Sequence, residues 1–138
     1  MSTKHHLKIL NLLSKVAVTV EPVASARIAA AIVYKNDIIS FGVNQRKSHP
    51  FHAQFRRNDE SIFLHAETDA IKNALKFIDH ETLSRSTLYI CRMKYITTDK
   101  REFVFGLSKP CDGCMRAIAT FDIKNVVYSL DDGGHEIL

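Results

Sequence analysis

The run Arg27 to Tyr34, RIAAAIVY, has no polar side chain between its two ends. So short and so apolar a run reads as a buried strand, and a buried strand must have neighbours to complete its ladder. Ile38 to Val43, IISFGV, supplies the first neighbour, and Lys35-Asn36-Asp37 between them suits a tight hairpin. Helical spacing brackets this pair. Ser2 or Thr3 can cap a first helix in which Leu7, Leu10, Leu13 and Ala17 recur on one face, with Glu21-Pro22 as its end. Downstream, Ala66, Ala70, Ile71, Ala74, Leu75 and Ile78 form the apolar face of a helix from His65 to Phe77.

The pattern then alternates. Thr87 to Met93 reads as a strand, and Phe103 to Phe105 as a short returning strand after a polar turn from Thr97 to Arg101. Cys111 to Phe121 reads as a helix with Cys114, Met115, Ile118 and Phe121 inward, and Val126 to Tyr128 as a buried strand. Strands interleaved with helices predict an α/β fold, a mixed sheet with helices packed on its faces. The stretch from Asn44 to Ser61 is polar, with His49-Pro50, His52 and Arg56-Arg57, and so long a connection calls for a use or for a short helix of its own.

At 138 residues the chain has room for a single domain, residues 1–138. Apolar residues at 46% and charged residues at 25% exclude a disordered tail or a rod. Nineteen Lys and Arg against 15 Asp and Glu leave a net +4, which permits an anionic ligand but does not favour nucleic acid by itself. No apolar run approaches the roughly 20 residues of a membrane span, and the first residues lack a signal-peptide pattern. Three cysteines, two of them close together, point to a reduced, cytoplasmic protein with a metal or redox pair, not a disulfide scaffold.

The chemistry concentrates in His65-Ala66-Glu67 and Pro110-Cys111-Asp112-Gly113-Cys114. Cys111 and Cys114 can present both sulfurs from the first turn of one helix, where thiolates are favoured. His65 opens the other helix and can supply a third ligand, giving a zinc site with its fourth position open for water. Glu67 is offset from His65, so it can stand beside the metal and move protons without binding it. CxxC alone also occurs in redox dithiols, and it is HxE on its own helix that adds specificity.

HxE followed by PCxxC is the signature of zinc nucleobase deaminases. The chain resembles the cytidine/deoxycytidylate deaminase superfamily over most of its length, and within it deoxycytidylate (dCMP) deaminase-type proteins, on the run Gly42 to Pro50. The resemblance implies a three-layer α/β/α fold with a mixed sheet of about five strands and helices on both faces. It implies Zn2+ held by His65, Cys111 and Cys114, with zinc hydroxide attacking C4 of a cytosine and Glu67 as proton shuttle. It implies base contact by the Ala66 backbone and sugar contact by Asn44. Arg46 and Lys47, with Arg56 and Arg57, are candidate phosphate contacts, since guanidinium forks pair with phosphate oxygens; His49 is a further candidate substrate contact. The expected activity is hydrolytic deamination of a cytosine-containing nucleotide, dCMP to dUMP favoured, by a homo-oligomer. Deamination of free cytidine, deoxycytidine or tRNA adenosine, and a non-catalytic zinc-stabilised module, are the alternatives.

Some residues depart from the family pattern. Gly42-Val43-Asn44-Gln45 stands where regulated dCMP deaminases carry Gly-Tyr-Asn-Gly, and Lys109 precedes Pro110 where many relatives have Ser or Glu. The span from Glu67 to Pro110 is also long, with Arg92 to Phe105 as the added hairpin. Cys91 reads as core. Phe51, Phe55 and Phe63 read as packing, with base stacking as the sharper alternative.

Overall fold

The computed structural model describes residues 3–20, 27–45, 65–95 and 102–138. In chain order its elements are α1 (Thr3–Ala17), β1 (Arg27–Tyr34), β2 (Asp37–Val43), α2 (Ala66–Ala74), α3 (His80–Ser84), β3 (Thr87–Tyr95), β4 (Phe103–Gly106), α4 (Asp112–Thr120), β5 (Asn125–Ser129) and β6 (His135–Ile137). The strands form one six-stranded mixed sheet in the order β2-β1-β3-β5-β6, with β4 also paired to β3. β1 is antiparallel to β2 and to β3, β3 runs parallel to β5, and β6 closes antiparallel on β5.

β1 is interior, as its apolar run requires. Ala30 and Ile32 face a core shared with α2 and α4, whereas Ala29, Ala31 and Val33 face a second core under α1. β3 divides the same way, Leu88 and Ile90 to one side, Tyr89, Cys91 and Met93 to the other. Helices on both faces make the expected three layers. The hairpin is tighter than its three polar residues suggest. Lys35 and Asn36 both take positive φ, 47° and 70°, and Asp37 already pairs with Tyr34. A two-residue loop with both φ positive matches the twist of the flanking strands.

Four features differ from the sequence reading. The sheet has a sixth strand, β6, after the Asp131–Gly134 turn. A short helix, α3, is capped by Asp79, whose carboxylate accepts from Thr82 N at 2.8 Å. Leu75 is 37% exposed, outside the buried face of α2, which ends at Ala74. The buried face of α1 is His6, Ile9, Leu10, Leu13, Ser14 and Ala17, with Leu7 exposed. A periodicity argument gives weight to Leu7 over its polar neighbour; packing instead buries His6, because Tyr89 offers it a partner. No helix among the described residues is long and apolar enough to cross a membrane.

The His6 ring stands with its Nδ1 2.7 Å from the Tyr89 hydroxyl and its centroid 5.5 Å from that of His135. Burial, and then the neighbouring His135, depress its basicity below the ordinary 6.5. Tyr89 is pushed up to about 12 by burial and stays a neutral phenol. The unfolded chain therefore binds a proton at His6 before the folded chain does. Stability from this group is complete above its unfolded pKa and is lost as pH falls below 6.5 toward the depressed folded value. The melting temperature of the wild type is expected to fall more steeply between about pH 7 and pH 5 than that of His6→Gln. Parallel pH profiles for the two proteins would remove His6 from this role.

Candidate metal centre and active site

The N-termini of α2 and α4 face each other. Each helix starts with a residue that does no capping. His65 at φ −85°, ψ 155° and Cys111 at φ −74°, ψ 173° occupy the N-cap positions, and neither makes a conventional side-chain cap hydrogen bond. Ser, Thr, Asp or Asn at such a position stabilises a helix by about 1 kcal/mol. That stabilisation is forgone at both helices, and both side chains turn toward a common point. Cys111 Sγ lies 3.3 Å and Cys114 Sγ 3.4 Å from His65 Nδ1. The three donor atoms all lie within 4.8 Å of one another. In a tetrahedral zinc site, a sulfur and a nitrogen ligand stand about 3.6 Å apart. The three donors therefore fit zinc with little movement. Cys114 is buried and Cys111 exposed, so the cluster is open on one side.

Protonation is shared within the cluster. The Cys114 thiol donates to Cys111 and holds it as a thiolate, down to about 3, with His65 adding to the effect against burial. The same bond, with burial, drives Cys114 well up. At His65 burial opposes the charge, but the Cys111 sulfur and the Glu67 carboxylate outweigh it, and the ring is raised. A dication held by these three residues would take over this role from the protons, since metal ligands must be deprotonated.

Glu67 is 5% exposed. Burial raises its carboxyl, opposed chiefly by the nearby His65. A buried carboxyl raised in this way is suited to taking and returning a proton.

The position of α2 is set by β2. A Cβ on Gly42 would overlap the backbone N of Ala70 and O of Ala66, so only glycine lets the helix lie this close to the strand. Ser40 Oγ donates to Ala70 O at 2.7 Å. Asp69, one turn beyond His65, accepts from Val43 N at 3.0 Å and Gln45 Nε2 at 3.3 Å, and pairs with Lys72 at 3.3 Å. Asp69 thus ties α2 to the end of β2, a link the sequence reading did not single out. Its signal is a carboxylate on the otherwise small, apolar face of Ala66, Ala70 and Ala74.

Asn44 follows directly and is 7% exposed. Its Oδ1 accepts from Ile28 N at 2.9 Å, and its own N–H donates to Ile28 O at 3.2 Å. The amide plane is thus fixed at the strand end beside α2. Ala66 is fully buried in the first turn of α2. Cys91 is core, with burial pushing its thiol up to about 12. Arg46, Lys47, His49, His52, Arg56, Arg57, the Phe51, Phe55 and Phe63 rings and the turn from Thr97 to Arg101 lie outside the described residues, as do Ser2 and Glu21-Pro22.

Solved structures share this architecture. dCMP deaminase from the cyanophage S-TIM5 in apo form superposes with a TM-score of 0.56 at 22% identity, over 93% of this chain and 82% of that one. The same phage enzyme in complex with dCMP and dUMP gives 0.56 at 20% identity, over 92% and 79%. Acinetobacter baumannii RibD, form 2, gives 0.51 at 16% identity, over 93% of this chain and 28% of that one. At these identities the likeness is one of fold. No curated protein sequence matches the chain. The model of the cytidine and deoxycytidylate deaminase zinc-binding region matches residues 3–130. With that match spanning nearly the whole length, and with a His/Cys/Cys donor set of zinc geometry beneath it, the chain belongs to the cytidine and deoxycytidylate deaminase family, whose cofactor is Zn2+.

Proposed function

We propose that this protein hydrolyses the exocyclic amine of a cytosine-containing nucleotide, converting dCMP to dUMP with release of ammonia. The observation that carries this reading is the buried Glu67 beside three converging zinc-type donors. His65, Cys111 and Cys114 hold the metal, which when bound supplies a Lewis acid that makes water nucleophilic at neutral pH. Glu67 accepts a proton from the attacking water, delivers it to N3 of the base, and passes a proton to the departing amine at C4. Water adds its oxygen to C4 and the C4–N bond breaks, so the products are the uracil base and ammonia. The Ala66 backbone contacts the ring and the fixed Asn44 amide contacts the sugar. Arg46 and Lys47, with Arg56 and Arg57, meet the substrate phosphate, and His49 is a further substrate contact.

The nucleotide preference is supported by the cyanophage dCMP deaminase, solved with dCMP and dUMP and alike in fold. The single domain over 1–138 acts as a homo-oligomer in a reducing intracellular compartment. Ammonia release from zinc-loaded protein on dCMP, deoxycytidine, cytidine and adenosine tests the substrate class. Turnover of dCMP well above deoxycytidine is expected. Equal rates on both would remove the phosphate contacts, and turnover of adenosine alone would overturn the cytosine reading.

A further inference from the structure

β3 changes partner midway along one edge. Thr87 to Ile90 pair with β5, and Arg92 to Tyr95 pair with β4. At the changeover the regular ladder is interrupted, and buried backbone groups there still need partners. Two buried serines supply them. Ser108, 4% exposed, leaves β4, and Ser129, fully buried, ends β5. Arg92 N donates to Ser129 Oγ at 3.1 Å, and Ser129 Oγ donates to Gly106 O at 2.7 Å. Ser129 N donates to Ser108 Oγ at 2.9 Å, and Ser108 Oγ donates to Ile90 O at 3.0 Å. The two hydroxyl oxygens are 2.9 Å apart, and Ser108 N donates to Ser129 O at 3.0 Å. Each hydroxyl thus accepts one backbone N–H and has a carbonyl within donating distance, and Ser129 also meets the Cys91 thiol.

Ser108 is also the last hydrogen-bonded buried side chain before Cys111, with buried Pro110 between them. The connection from β4 to α4 leaves the sheet at this knot and next delivers the Cys111 sulfur to within 3.3 Å of His65 Nδ1. α2 is located against β2 by Gly42 and Asp69, so His65 is referenced to the β1–β2 side of the sheet. α4 packs on the same core through Ala117 and Ile118, and the serine pair adds a hydrogen-bonded reference for the connection that leads into it.

We propose that Ser108 and Ser129 are positioning residues for the metal centre, fixing where Cys111 stands relative to His65. The proposal rests on the reading that His65, Cys111 and Cys114 hold zinc. A hydroxyl pair that served only the sheet would change stability alone. A positioning pair also changes metal affinity and ligand geometry, and groups that orient metal ligands typically contribute a factor of about 10–100 in affinity.

The test is zinc affinity by chelator competition, with the Co2+ absorption spectrum of the same proteins as the report on ligand geometry. Ser108→Ala is expected to lose about 10–100-fold in zinc affinity and to shift the Co2+ bands. Tyr89→Phe, on the opposite face of the sheet, removes the bond to His6 and serves as the stability control, with affinity and spectrum as in the wild type. A Ser108→Ala protein that melts lower, like Tyr89→Phe, yet binds zinc within about twofold of wild type would overturn the proposal. Should Ser108→Ala not fold, Asp131→Asn probes the same connection more gently, because the Asp131 carboxylate accepts from Leu107 N at 3.1 Å and from Lys94 Nζ at 2.8 Å. A several-fold loss of affinity is expected there, and unchanged affinity counts against the proposal. Failure of the wild type itself to bind zinc would sink the metal reading as a whole, an outcome distinct from a wild type that binds and variants that bind equally.

Discussion

Glu67→Gln is expected to keep its fold and one zinc per chain while losing about 10²- to 10⁴-fold in turnover. The substitution preserves shape in a site where Glu67 is 5% exposed, so packing changes little. What it removes is the ability to hold and return a proton. Burial raises the carboxyl of Glu67, with His65 pulling the other way, and a raised carboxyl gives up an accepted proton less readily than an exposed one. An amide in the same place can orient water but cannot carry its proton to the base. The loss should therefore appear mainly in kcat. Ammonia release and metal content, measured on the same preparation, check both halves of the expectation. A Gln variant turning over near the wild-type rate would remove Glu67 from the proton path.

Removing a metal ligand has the second large effect. Structural zinc sites bind with about 10–16 kcal/mol, so loss of one of three protein ligands should cost roughly 3–5 kcal/mol, on the order of 10³-fold in affinity. Cys114→Ala is the more informative choice, because Cys114 is buried and lies between Cys111 and Glu67 in the protonation scheme. In the wild type, free zinc at a thousandfold over its Kd should stabilise the fold by about 4 kcal/mol, raising Tm by about 14 °C. Cys114→Ala should show almost none of that increment, and chelation should lower the wild-type Tm toward the variant's. A zinc-dependent Tm that survives in Cys114→Ala would place the metal elsewhere.

The chemistry was more legible in the sequence than the framework that holds it. The convergence of His65, Cys111 and Cys114 could be read because residue type and spacing carry their meaning together: imidazole and thiolate are metal donors, and helix geometry places them. β1 and β3 could be read because apolar runs of that length have few other homes. β6 could not, since His135-Glu136-Ile137 is short and half polar and becomes a strand only because β5 presents an edge. The phase of α1 was misread at Leu7 because hydropathy does not register that Tyr89 can satisfy His6. Ser108 and Ser129 look like ordinary turn residues until the sheet shows β3 changing partners between them. Gly42 gives the same lesson in steric form. Its meaning lies in the backbone of α2, which is remote in sequence and in contact only once folded.

The most direct test of the whole account is to incubate the zinc-loaded protein with dCMP in ¹⁸O-labelled water and weigh the product. Hydrolysis at C4 assisted by Glu67 requires one ammonia released and one heavy oxygen carried on the uracil base for each turnover. A chain that binds its zinc yet leaves dCMP unconverted, or a product without the solvent oxygen, would contradict it.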